Sequence, residues 1–399
     1  MTFFSLEQFP LENKIVFLRV DYNVPLKEKT VSDNTKIVAS LPTIKYLLQK
    51  NCKIVLATHL GDPKGKVTSE LSVTPLGAEL KKQLPEEKIT LMPDCFGKEI
   101  KEKIVNSKGK QIFLLENLRF HQEEEKNDPI FAHALTDLAE IYVNDAFAVC
   151  HRQHASVDAI THFLPAIAGF LVEKETASLS HALEPERPAV WILGGAKLEK
   201  IDLIKIALEK YDTLLIGGAL ACSFLRAKGI DVGMSRIDIN SIAFARKILK
   251  QKGAEKIILP VDFVVAEKIS PDAKPEVVAF NQIKSTQIAL DIGPETITLF
   301  QRKLLLAKTI IWNGPLGYFE LANFSHGTKE IAQFLGPLKA TKICGGGETG
   351  EAMRRFYLTH SFTYISTGGG ASLEFLLGKK LPGIAALEKN YFKWRKKVK

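Results

Sequence analysis

WILGGAK (residues 191–197) runs a short apolar stretch into two glycines and a lysine, and the chain repeats that plan. LLIGGAL (214–220), TKICGGGETG (341–350) and YISTGGGAS (364–372) follow it, and TIIWNGPLGYFE (309–320) adds a fifth turn. A short apolar run reads as a parallel strand covered on both faces, and glycine just past its end lets backbone N–H groups close around an anion. One strand–glycine turn is a tight turn and nothing more. Five in one half of a chain predict a sheet edge that holds a polyphosphate.

The first half alternates as well. KIVFLRV (14–20), KIVLAT (53–58), QIFLLE (111–116) and IYVN (141–144) read as strands, with helical patterns over 35–50, opened by an Asp33-Asn34-Thr35 capping cluster, and over 74–83. Such alternation predicts an α/β fold with a mostly parallel sheet, whose ligands bind outside the carboxyl ends of the strands. The strand ends of the first half carry Arg19, Asp21, Tyr22, Asn23, His59, Arg119, His121, Asn144, Asp145 and the 151–154 stretch HRQH. Cations and polar side chains suit a small, highly charged anion. Glycine turns with few charges suit a nucleotide. The expectation is two domains and two ligands.

Bulk properties agree. A chain of 399 residues is too long for one ordinary core. With 46% hydrophobic and 25% charged residues, disorder is excluded. The net charge of +9 suits acidic ligands and is spread widely, except at Lys389, Lys393, Arg395, Lys396, Lys397 and Lys399. That tail reads as a solvated end, or as a contact for nucleic acid or anionic lipid, which no RNA-binding signature supports. Five scattered cysteines without a CxxC pair argue against a disulfide frame or zinc site and fit a reducing cytosol. The start, MTFFSLEQFP, lacks the layout of a signal peptide, and no apolar run could span a membrane.

Residues 165–188 link the halves through a helix-like run, AIAGFLVEKETASLSHALE, bounded by prolines. It reads equally as a stiff connector or as an ordinary surface helix. Neither a Walker A, a strand-borne GxGxxG nor the protein kinase signature set occurs; residues 61–66 (GDPKGK) have the wrong spacing. His151 and His154 lack a second ligand pair for a metal, and Arg152 between them reads better as an anion contact. Arg119 is a second such contact or a surface ion pair. Lys197 offers a point charge to a transferring phosphoryl group, or is a solvated helix-start lysine. Glu348 is an oxygen ligand for Mg²⁺ or a first-turn acid favoured by the helix dipole.

These segments together resemble the phosphoglycerate kinase family over essentially the whole chain. RVDYNVPL (19–26), ATHLG (57–61), ENLRFH (116–121), VNDAF (143–147) and HRQH match its first domain; GGAK, PVDFV (260–264), WNGPLGYFE, GGGET and STGGGASLE (366–374) match its second, in the family's order. The resemblance implies two doubly wound parallel-sheet (Rossmann-like) domains facing a cleft: 1–166, with the peptide 383–399 packing back on it, and 184–382, joined by a hinge helix over 167–183. It implies reversible phosphoryl transfer between MgATP and 3-phosphoglycerate, giving ADP and 1,3-bisphosphoglycerate, by a cytoplasmic monomer working through hinge closure, with no nucleic acid or membrane partner. Asp21, Asn23, Lys36, His59, Asp62, Arg119 and Arg152 would then hold the phosphoglycerate. Gly195, Ala196, Lys197, Lys200, Gly217, Gly218, Leu290, Asn313, Pro315, Glu320, Gly346, Gly347, Glu348 and Thr349 would line the nucleotide, with Glu320 at the ribose and Glu348 on Mg²⁺. Lys36, Lys197, Gly368, Gly369 and Gly370 would face the moving phosphoryl group.

Some positions depart from the family's pattern. Lys36 replaces an arginine, which keeps charge and loses the bidentate fork. Asp62 stands where the family's HLGRP has its arginine. Lys197 and Lys200 are one residue closer together than the family's two lysines, the metal-binding aspartate is Glu348, and a glycine of the adenine pocket is Ala289. An active glycolytic kinase is the first expectation. The alternative is a nucleotide-binding homologue with weak or lost catalysis, acting in regulation or interaction.

Overall fold

Ile15–Val20 (IVFLRV) lies at the middle of a seven-stranded sheet, and Val16, Phe17, Leu18 and Val20 on its two faces are all fully buried. Burial of consecutive residues, rather than every second one, is what a parallel sheet covered on both sides demands. The computed structural model describes residues 1–195 and 201–396. Among these the chain divides into two units, Met1–Thr176 with the stretch from Lys380 onward, and Ala177–Lys379.

The first sheet runs Phe4–Ser5, Ala166–Ala168, Ile141–Asp145, Ile15–Val20, Lys53–Ala57, Gln111–Leu114, Ile89–Leu91, with every pairing parallel. Winding proceeds outward from Ile15–Val20 to one side and then returns to Ile141–Asp145 on the other. Ligands of such sheets bind at the carboxyl strand ends by that reversal, where Asp21 follows Ile15–Val20 and His59 follows the neighbouring strand Lys53–Ala57. Helix Thr35–Gln49 packs Ile37, Ile44, Leu47 and Leu48 onto this sheet. Asp33 caps it, accepting the Thr35 amide at 2.9 Å, while Asn34 donates instead to Glu79.

The second unit repeats the design. Its sheet runs Ile257–Ile258, Thr213–Ile216, Ala189–Leu193, Thr309–Asn313, Thr341–Gly345, Tyr364–Ile365, again parallel throughout. All five strand–glycine segments therefore end on one edge of one sheet, and its reversal falls between Ala189–Leu193 and Thr309–Asn313. The buried Trp312 anchors the core below, with Phe300, Ile331, Leu335 and Met353 around it. A separate antiparallel sheet, Glu276–Ala279, Asp262–Ala266 and Ile288–Ile292, stands beside it.

The run expected to be helical from Ala166 is not helical at its start. Ala166–Ala168 pairs with Tyr142–Asn144 as a strand, and the helix occupies Phe170–Leu183. The buried Asp145 accepts the Leu171 amide at 2.8 Å and so sits at that helix start; burial pushes its carboxyl up to about 7 against the pull of these amides.

Helix Pro382–Trp394 belongs to the first unit. Its Asn390 side chain donates to the Thr161 and Leu164 carbonyls at 2.6 and 2.7 Å and accepts the Ala166 amide at 2.8 Å. Part of the basic tail is likewise engaged. Lys393 donates to the His162 carbonyl and Arg395 lies over the Phe392 ring, while Lys397 and Lys399 fall outside the described residues.

Candidate active site

In the first unit four cations gather around two buried histidines. Lys36, in the first turn of its helix, bonds Asp21 Oδ2 at 2.6 Å. Burial pushes the Asp21 carboxyl up, but Lys36, His59 and the Asn23 amide outweigh it and hold it below the usual range. His59 is driven well below the usual imidazole range, by burial first and then by Arg19, Arg119 and Lys36, against the pull of Asp21. It is therefore neutral at pH 7. Arg19 Nη2 lies 3.3 Å from His59 Nδ1 and can only donate, so the imidazole proton resides on Nε2. A neutral histidine with Nε2–H is a donor suited to a phosphate oxygen.

Arg119 is nearly buried at the turn Leu118–Phe120, with Nη1 donating to the Gly61 carbonyl at 2.9 Å and Nε 3.2 Å from Glu125. Burial, then Arg152 and Arg19, pull its pKa down, with Glu125 and Asp62 opposing. Arg152 is exposed and leans on His151. Asn23 accepts the Gly61 amide through Oδ1 at 2.9 Å, which leaves its Nδ2 for a ligand. Asp62 is exposed, close enough to Arg119 for its field to register.

Two residues of the expected anion set serve a different purpose. Arg19 is fully buried, donating to Ser156 Oγ at 2.8 Å and to the Val20 carbonyl, so it aligns His59 rather than meeting a ligand. His121 points to Asp94, 2.7 Å away. Burial, with the surrounding arginines, pushes His154 down to about 3, and it lies against Glu124 rather than in a metal pair with His151. Sequence reading passed over Asn117. Fully buried, it bonds both the amide and carbonyl of Leu60, the Leu71 carbonyl and the Arg119 amide, and so locks the His59 loop to the Arg119 turn. A buried asparagine at a strand end was the available signal.

In the second unit a pocket of about 260 Å³ opens at the sheet's reversal. Gly195, Gly218, Leu290, Pro315, Glu320 and Glu348 all line it. Gly218 has φ +61°, and a Cβ there would come within 2.5 Å of the Gly195 amide nitrogen, so only glycine lets the two turns interlock. At Gly369, φ is +53° and a Cβ would meet nothing within 4 Å, which is room for a ligand beside the start of helix Gly370–Leu376. Phe263, Ile288 and Leu316 supply apolar walls, and Arg236 stands at the rim. The antiparallel sheet brings the first two, and no local pattern announced them.

The remaining expected residues sit on neighbouring ends of the same edge. Gly217 donates its amide to the Leu193 carbonyl, and Gly346 and Gly347 open helix Gly347–Arg355. Asn313 is buried, and among the described residues no acceptor meets its Nδ2, a donor suited to an anion. Thr349 instead turns inward and accepts the Gly314 amide at 2.6 Å. Gly368 and Gly370 flank Gly369. Ala289 lines the cavity. Glu348 is half-buried in a first helical turn facing the cavity; a hard carboxylate oxygen there fits Mg²⁺, which takes its other ligands from phosphates and water. Ala196, Lys197 and Lys200 lie outside the described residues.

Known proteins share this plan. The family model described as phosphoglycerate kinase matches residues 6–379. A phosphoglycerate kinase of Moorella thermoacetica is 47% identical over 388 residues, 96% of this chain and 98% of that protein. One of Chlorobium chlorochromatii is 46% identical over 392 residues, with the same coverage. The solved phosphoglycerate kinase of Coxiella burnetii superposes with a TM-score of 0.87 at 37% identity, covering 98% of this chain and 100% of that one. That of Pyrococcus horikoshii gives 0.86 at 33%, again over 98% and 100%. Two sheets with their crevices at the same strand ends, and likeness at this level from end to end, leave one conclusion: the chain belongs to the phosphoglycerate kinase family.

Proposed function

We propose that the chain is a working kinase of glycolysis and gluconeogenesis, moving a phosphoryl group reversibly between MgATP and the carboxylate of 3-phosphoglycerate. The observation that carries this reading is the convergence of Lys36, Arg119, Arg152 and the Nε2–H form of His59 at one sheet reversal. The phosphate of the acid substrate is held there by Arg119, Arg152, His59 and Asn23. Lys36, steered by Asp21, faces its carboxylate. In the second unit the base enters the apolar slot and Glu320 meets the ribose. The nucleotide lies along the turns of Gly195, Gly217 and Gly218, whose own amides are taken by the Pro315, Leu193 and Leu316 carbonyls, and its phosphates meet the amides of Gly346, Gly347, Gly369 and Gly370 beside Gly368, with Asn313 Nδ2 donating. Glu348 would hold Mg²⁺, which would supply charge neutralisation to the phosphates. Lys197 and Lys200 are assigned to the phosphoryl group from family likeness alone.

The attacking carboxylate is already ionised at neutral pH, so no general base is required. Catalysis then consists of positioning and charge neutralisation, with hinge bending around residues 167–183 bringing the substrates together. A monomeric, cytoplasmic enzyme belongs to the same proposal, supported by five free, buried cysteines. The Lys36–Asp21 bond and the place of Glu348 on the cavity wall support the reading that two of the departures keep charge where the chemistry wants it.

Asp62 is the departure with a measurable consequence. Two like charges about 5 Å apart at an effective dielectric of about 20 repel by roughly 3 kcal/mol, and exposure of Asp62 reduces that to about 1 kcal/mol. Asp62→Arg is expected to tighten 3-phosphoglycerate binding about tenfold in a calorimetric titration; unchanged affinity removes Asp62 from the substrate's surroundings. The reading as a whole is tested by steady-state turnover of ATP and 3-phosphoglycerate, with the bisphosphate drained by a coupled reductive step. Absence of turnover while MgATP still binds would replace it with a nucleotide-binding homologue without catalysis.

A further inference from the structure

Asp94 and Cys95 lie in the loop between strand Ile89–Leu91 and helix Lys98–Val105, and His121 follows the turn Leu118–Phe120. The proposed transfer uses none of the three. One ligand atom from each lies within 4.8 Å of the others, and among the described residues no second trio of such side chains does so. His121 Nε2 and Asp94 Oδ1 are 2.7 Å apart. Cys95 is buried and fixed, with its amide donating to Asp94 Oδ1 at 2.7 Å and its thiol to the Glu116 carbonyl at 3.0 Å. Asp94 is half exposed and His121 22% exposed, so the cluster is open on one side.

We propose that Asp94, Cys95 and His121 form a binding site for a divalent transition metal, Zn²⁺ by donor type, with water in the fourth position. A sulfur, an imidazole nitrogen and one carboxylate oxygen suit a borderline-soft tetrahedral ion and not Mg²⁺ or Ca²⁺, which take oxygen ligands. Tetrahedral bonds of about 2.0–2.3 Å separate ligand atoms by about 3.3–3.7 Å. The His121–Asp94 pair needs to open by less than about 1 Å and the sulfur to close by about as much, which two partly exposed side chains can supply. Phe96 and Phe131, each with its ring centre 5.2 Å from the imidazole, hold that ring in place. Binding forms a metal–sulfur bond and sends the thiol proton to solvent, with no change of oxidation state. Because His121 is two residues from Arg119, an ion here ties the 93–95 loop to the turn that carries that arginine.

The test is independent of kinase turnover. The reduced, chelator-treated full chain is titrated with Co²⁺ and followed by optical absorption. One equivalent is expected to give a thiolate-to-cobalt charge-transfer band that Zn²⁺ bleaches. Cys95→Ser should abolish the band. Asp94→Asn, at an exposed position that leaves folding intact, should weaken Co²⁺ binding by at least about tenfold. No band, or one unchanged in both variants, would mean that the three side chains form only a polar pair beside a packed thiol.

Discussion

Arg119→Ala is expected to lower kcat/KM for 3-phosphoglycerate by about a thousandfold while leaving the affinity for MgATP unchanged. The side chain is nearly buried, so its charge acts through little screening water, and its Nη1 bond to the Gly61 carbonyl aims the fork. Truncating one member of a buried, hydrogen-bonded charge pair costs about 2–5 kcal/mol, and about 4 kcal/mol corresponds to three decades. Arg152, His59, Asn23 and Lys36 remain, which is why some binding survives. Arg119→Lys separates charge from geometry: it keeps the cation, loses the second N–H, and should recover about half of the loss on a logarithmic scale. Steady-state kinetics in both substrates, with far-UV dichroism to verify folding, decide the matter. A loss of less than threefold in Arg119→Ala would take the phosphoglycerate away from this crevice.

Much of this was legible in the chain because its strands are buried on both faces. Each glycine segment of the second half reads as strand then turn without help from elsewhere, and all five fall on adjacent parallel strands. What local reading could not resolve depended on distant partners. Ala166–Ala168 is an apolar run of only three residues, too short for its pattern to separate helix from strand, and only pairing with Tyr142–Asn144 decides it. Arg19 looks like an anion contact from its place at a strand end. Its partners Ser156 and Glu124 are more than a hundred residues away, and they turn it into a buried support. Likewise the walls of the second unit's pocket come partly from an antiparallel sheet with exposed positions such as Val277, whose pattern differs from the parallel strands around it.

That buried support predicts the second large effect. Glu124 has no exposed surface; it accepts the Ser156 amide at 2.9 Å and the Ser156 hydroxyl at 2.6 Å, and lies 3.9 Å from Arg19 Nη2. His154, 3.8 Å away, is neutral, so the guanidinium of Arg19 is the cation that Glu124 balances. Glu124→Ala strands that charge and two Ser156 donors in the interior. The expected cost is about 4 kcal/mol of first-unit stability, read as a lowered urea midpoint. Glu124→Gln keeps acceptors for Ser156 and should cost about half as much. The double variant Arg19→Met/Glu124→Leu removes both charges of the pair and should recover about half of the Glu124→Ala cost, because desolvating an ion pair offsets much of its attraction while the Ser156 donors stay unmatched. It should nonetheless bind 3-phosphoglycerate poorly, since without Arg19 nothing fixes the His59 proton on Nε2. Stability regained with affinity still lost would separate the two roles of this network; a Glu124→Ala cost below about 1 kcal/mol would show that Arg19 finds its balance elsewhere.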